Sequence, residues 1–179
     1  MGHREIKSAV GFHFLRIGWI ILVLTGCATA SGGQSVKTDL SADVITVSRH
    51  CFPAPKAWTA TWIRTPDVFR RMLSKCSATF IGETHREPPS VDFKRFGVLA
   101  VEMGEQRTAG YGFDRTAIRA FVENKTAVVE LVVNRPAPGA IAATMMTSPC
   151  ILIRLPVDAY RHIRIQDQTE QVLTRIDLP

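Results

Sequence analysis

The chain has 179 residues, a formal net charge of +6 and 46% hydrophobic residues. Three of the positive charges (Arg4, Lys7, Arg16) fall near the N-terminus, and the others are scattered among acidic residues. No run of Lys and Arg interleaved with aromatics occurs, so the electrostatic footprint of a nucleic-acid binder is missing, and the chain contains no internal repeats or low-complexity blocks.

A basic start (His3, Arg4, Lys7) leads into the apolar run Ile17–Leu24, then small residues, then Cys27. This is the order of a secretory signal: charged region, apolar core, small-residue cleavage site. The run is far shorter than the ~20 residues a membrane-spanning helix requires. Leu24-Thr25-Gly26-Cys27 resembles the lipobox of bacterial lipoproteins. The resemblance implies that residues 1–26 are a signal peptide and that the Cys27 thiol is acylated and becomes the mature N-terminus. The alternative is a cleaved signal without lipid. Acyl chains, at about 0.8 kcal/mol per buried methylene, hold a protein on a membrane without a transmembrane helix. Ala28 stands where an aspartate would retain a lipoprotein at the inner membrane, so an outer-membrane location facing the periplasm is expected.

Residues 27–42 are small and polar and read as a flexible tether, leaving 43–179 as a single domain long enough to enclose a core. Val44–Val47 is a predicted strand, broken by Pro53 and Pro55. Trp58–Arg64 is a second extended run, rich in Thr, Trp and Ile. The clearest helix follows. Thr65 caps it, Pro66 suits its first position and Asp67 complements the N-terminal dipole. Val68, Phe69, Met72, Leu73 and Cys76 recur at three- and four-residue spacing as one apolar stripe.

Residues 82–90 read as a polar loop. Val98–Met103 is a strand, followed by a turn-rich stretch over 104–112. Phe113–Val122 and Thr126–Asn134 read as strands joined at Asn124-Lys125. A long loop over 135–148 precedes strands at Cys150–Leu155 and His162–Gln166. The last stretch, with Val172, Leu173 and Ile176, is compatible with strand or helix. The fold class that accounts for this is α+β, a mainly antiparallel β sheet or sandwich with one amphipathic helix.

With Cys27 taken by lipid, Cys51, Cys76 and Cys150 remain in an oxidising compartment that permits disulfides. Cys51–Cys76 is the pairing considered, and the odd count leaves a free thiol or a link to another chain. Neither Cys-x-x-Cys nor a zinc-type spacing occurs. Glu83, His85 and Glu87 lie within five residues but lack a further ligand at a recognisable spacing. His50-Cys51 is an adjacency in sequence, which gives neither the spatial contact nor the oxyanion site of a catalytic pair. Gly-x-Ser-x-Gly, a phosphate-cradling loop and His-Glu-x-x-His are all missing. The expectation is a non-enzyme with no cofactor, no metal and no small-molecule substrate.

From Val91 to Gln166 the chain resembles the C-terminal domain of the PrcB-type protease-complex subunit family. The likeness rests on Val91-Asp92-Phe93-Lys94-Arg95-Phe96, the strand Val98-Leu99-Ala100-Val101, and Gly104-Glu105-Gln106-Arg107-Thr108-Ala109-Gly110-Tyr111. It continues in the Pro136-Ala137-Pro138-Gly139 loop and in Ser148-Pro149-Cys150 opening a strand that ends at Leu155-Pro156. The family turn is Gly-x-x-x-Thr-Gly-Gly-Tyr; here Ala109 replaces the first of its paired glycines, and Arg107 stands where proline is usual. The resemblance implies a non-catalytic, often lipid-anchored envelope protein, an accessory subunit of an exported protease.

The partner-binding residues expected are Arg107, Thr108, Gly110 and Tyr111 on the turn, with Arg135, Pro136, Pro138 and Gly139 on the later loop. Tyr and Arg are enriched where interfaces are tight, although Tyr111 at a strand start also suits simple core packing. Thr108-Ala109-Gly110-Tyr111 is similar to a loop of the chagasin-type cysteine-protease inhibitors, which gives a second reading. A third is a structural envelope lipoprotein with no protease connection.

Overall fold

Strands that alternate apolar and polar residues bury one face, and a second layer must cover it. The computed structural model describes residues 36–76, 89–158 and 160–178. The Cys27 segment and the Glu83–Glu87 cluster lie outside the described residues. With strands numbered in chain order, a five-stranded sheet runs β1 (Thr38–Asp39), β6 (Gly112–Glu123), β7 (Thr126–Asn134), β10 (His162–Asp167), β11 (Val172–Asp177). A four-stranded sheet runs β2 (Asp43–Ser48), β9 (Cys150–Pro156), β4 (Phe96–Glu102), β3 (Thr59–Ile63). A two-stranded ribbon pairs β5 (Gln106–Thr108) with β8 (Thr144–Thr147). All these strand pairs are antiparallel except β7 with β10, which is parallel.

The period of two decides how the layers assemble. On β4, Leu99 and Val101 enter one apolar cluster while Val98 and Ala100 enter another. Ile151, Ile153 and Leu155 of β9 divide from Cys150 and Leu152 in the same way. The first cluster is completed by Ala127, Val129, Leu131 and Val133 of β7 and by Ile163 and Ile165 of β10, so the two larger sheets share it. The second is completed by Phe69, Leu73 and Cys76 of helix α1 (Pro66–Cys76), which covers the other face of the four-stranded sheet. β4 and β9 are therefore apolar on both faces because both faces are covered.

The helix starts as its sequence dictates. The Thr65 carbonyl accepts from the Phe69 amide at 3.1 Å, and Thr65 Oγ1 faces the Val68 amide at 3.5 Å. The β6–β7 hairpin turns at Asn124 (φ 49°) and Lys125 (φ 60°), both in the left-handed region, as a tight two-residue turn requires.

Four local expectations are refined. Residues 104–112 are not turn throughout, since they contain β5, and 135–148 contains β8. The final stretch is strand β11, because the edge of β10 offers it a register from His162↔Asp177 to Gln166↔Val172. The far end of the segment read as tether is paired: Thr38 and Asp39 lie opposite Val122 and Phe121, and Leu40 and Ala42 pack on the first cluster.

The cysteine pairing considered from sequence is corrected. Cys51 is bonded to Cys150, and Cys76 is the free, buried thiol. The bridge is long-range, separated by 99 residues, and sheet register makes it. Ser48 at the end of β2 lies opposite Cys150 at the start of β9, and the Cys51 amide donates to the Ser148 carbonyl at 2.9 Å. Cys76 reaches the same place from the helix.

Candidate interaction site

The two segments singled out as partner-binding lie far apart in sequence and side by side in the fold. Gln106 pairs with Thr147 and Thr108 with Thr144. The Ala109 amide donates to the Ala143 carbonyl at 3.0 Å, and Gly110 seats against the Pro136 ring. Gly104 (φ +82°) and Gly110 (φ +97°) bracket β5 in a backbone conformation that L side chains rarely adopt. At Gly104 the chain also runs close to the backbone of Pro55 and Ala57, and the Glu105 amide donates to the Pro55 carbonyl at 3.1 Å.

The expected residues divide by placement. Arg107, Gly110, Pro138 and Gly139 are exposed, and Thr108 and Pro136 are half-buried. Gly139 (φ +78°) completes a turn in which the Ala140 amide donates to the Ala137 carbonyl at 3.0 Å. Tyr111 is half-buried and packs on the first cluster, so its ring is a support for the turn. Arg135 donates to Asp167 Oδ2 at 3.0 Å.

That contact belongs to a clamp. Asp167 Oδ1 accepts from the Thr169 amide at 2.9 Å, the Thr169 hydroxyl at 2.6 Å and the Gln171 amide at 3.2 Å. Gln168 pairs with the amide and carbonyl of Val133 at 2.9 and 3.2 Å. Burial pushes the Asp167 carboxyl up, but the donors from Thr169, Arg135 and Gln171 outweigh it and hold it below its ordinary value. The β10–β11 turn is thereby tied to the end of β7, where the 135–148 segment departs.

The residues that sequence reasoning missed are apolar. Ile141, Met145 and Met146 are exposed at 105%, 46% and 56%. They fall within six residues of one another, and the other exposed large hydrophobics of the described residues are dispersed. The available signal is Thr144-Met145-Met146-Thr147, an apolar pair between two threonines inside a segment otherwise built mostly of small residues and proline. Unbranched methionine adapts to irregular partner surfaces. Arg107 on the neighbouring strand is exposed as well.

Cys51 is held in a disulfide, so the adjacent His50 has no thiol to activate. The three sulfur atoms of Cys51, Cys76 and Cys150 lie within 4.8 Å of one another, yet a metal needs thiolates and two of the three are bonded together.

Residues 98–156 match the family model described as PrcB C-terminal. The match starts in β4, ends with β9, and includes both halves of the ribbon. No curated protein and no solved structure matches the chain.

Proposed function

We propose, from the PrcB C-terminal match and the ribbon inside it, that this chain is a non-catalytic accessory subunit that binds an exported protease. The β5–β8 ribbon, with Arg107, Ile141, Met145 and Met146, is the contact surface. One observation carries the reading: the matched segment encloses both strands of the ribbon and the β6–β7 hairpin between them, so the family-defining part of the chain and its exposed apolar side chains coincide. The proposal extends to an outer-membrane anchor at Cys27, a stacked two-sheet sandwich and a periplasmic orientation. An inhibitor of the chagasin type would need the 108–111 turn free to enter a cleft. Here Gly110 rests on Pro136 and Tyr111 on the core, so docking is the better supported reading.

The test is cross-linking in intact cells of full-length protein, wild type against R107A/T108A and M145S/M146S, followed by identification of the captured proteins. Recovery of an exported protease with the wild type, and its depletion with both variants at unchanged thermal stability, is expected. Capture of the same proteins in equal amounts by all three forms would remove the ribbon from the interface. Recovery of cell-wall or outer-membrane components alone would remove the protease connection.

A further inference from the structure

The three-cysteine cluster is used by none of the chemistry above. Cys51, Cys76 and Cys150 are all buried, and Cys76 Sγ lies 2.7 Å from Cys150 Sγ. We infer that this cluster is an intramolecular thiol–disulfide exchange centre, in which Cys76 attacks Cys150 and moves the bridge from Cys51–Cys150 to Cys76–Cys150. The balance closes within the chain. Cys76 gives up its proton, its thiolate sulfur bonds to Cys150 Sγ, the Cys51–Cys150 bond breaks, and Cys51 leaves as a thiolate that takes up a proton. One disulfide and one thiol are present before and after, so no oxidant or reductant is consumed.

The sulfur that Cys76 contacts is that of Cys150. The attacking thiol is brought by the last residue of α1, the attacked sulfur by the first residue of β9, and the leaving sulfur by the connection that follows β2. The exchange therefore selects which element is held covalently to β9: the β2–β3 connection or the end of the helix. Holding reactants in contact substitutes for a high concentration of free thiol.

The thiolate is the reacting form, and the surroundings restrain it. Burial and the nearby Glu102 carboxylate push the Cys76 thiol up to about 12, and Lys75 beside it acts in the opposite direction. Lys75 and Glu102 are themselves ion-paired. Exchange is accordingly slow near neutrality, and its rate rises about tenfold per pH unit as the thiolate fraction grows.

The experiment incubates full-length oxidised protein in mild alkali without reductant, quenches it in acid, digests it in acid, and maps linked and thiol-labelled peptides by mass spectrometry, with peptides containing Cys27 scored apart. A Cys76–Cys150 linkage is expected to appear beside Cys51–Cys150, with thiol label lost from Cys76 and gained in equal amount at Cys51. In Cys76→Ser the label at Cys51 is expected to stay absent. Label confined to Cys76 after prolonged incubation of the folded wild type would overturn the proposal. Label at Cys51 in the Cys76→Ser protein would also overturn it, since exchange would then not run through Cys76. Cys51→Ser, oxidised under the same conditions, is expected to form Cys76–Cys150; two free thiols there would show that the second bridge does not fit the fold.

Discussion

Asp167 is a carboxylate whose side chain is shut off from solvent, and it stays charged because four donors converge on it. Hydrogen bonds to a charged group contribute about 1.5–3 kcal/mol net. Asp167→Asn keeps the shape but removes the charge, and we expect it to cost about 1–3 kcal/mol near neutral pH. The sign with pH follows from the direction of the shift. The folded-state carboxyl titrates below its ordinary 3.8, so its contribution is fully present above that value and is lost as pH falls through the folded one. Urea unfolding of both proteins should show a gap that is constant near neutrality and closes in strong acid. A gap that persists at the acid end would mean that the charge is not what matters. Arg135 enters this account as a clamp, and its role at the ribbon is to fix where the 135–148 segment leaves β7.

At the scale of elements, two single substitutions that exchange glycine with a side chain should move stability in opposite directions. A methyl group at Gly97 would overlap the Trp62 ring, which crosses from the neighbouring strand. Overpacking of this kind costs about 1–3 kcal/mol, so Gly97→Ala should lower the melting temperature. Lys125 holds φ 60° in the β6–β7 turn, a conformation that costs a side-chain-bearing residue about 1–2 kcal/mol. Lys125→Gly should therefore raise stability by up to about 1 kcal/mol, after glycine's extra unfolded-state entropy is subtracted. Thermal unfolding of the two variants checks both, and a destabilised Lys125→Gly would show that the turn is held by contacts of the lysine itself. The same contrast explains what was legible in the sequence. α1 and the β6–β7 hairpin are written locally, in Thr65-Pro66-Asp67 and in Asn124-Lys125 between alternating strands. The need for glycine at position 97 depends on a ring 35 positions away, counted from Trp62. β5 and β8 are three and four residues long, too short for periodicity to declare itself, and they exist because each supplies the other's hydrogen bonds. The disulfide is hard to read from sequence for a related reason: Cys76 does approach the bridge, but strand register delivers Cys51 to Cys150.

At the scale of the molecule, the segment that matches the family model is not a self-sufficient core. It contributes β4, β9 and the β6–β7 hairpin, yet part of what covers them comes from elsewhere in the chain. Ile63, Phe69 and Leu73 close the second cluster from β3 and α1, and Ile163 and Ile165 close the first from β10. At about 1.5–3 kcal/mol for each fully buried side chain of this size, these five residues account for roughly 7–15 kcal/mol. That is as much as the net stability of a typical domain, about 5–15 kcal/mol. Removing β10 also leaves β7 with an unpaired edge, which invites association with other chains. A fragment of residues 98–156 should therefore fail to fold: its amide spectrum should be undispersed and its denaturant curve without a cooperative step. Residues 36–178 should unfold cooperatively under the same conditions. A cooperative transition in the fragment would instead place the folding information wholly within the matched segment. It would make α1, β10 and β11 additions to a finished core, and the ribbon would then be expected to keep its partner-binding surface without them.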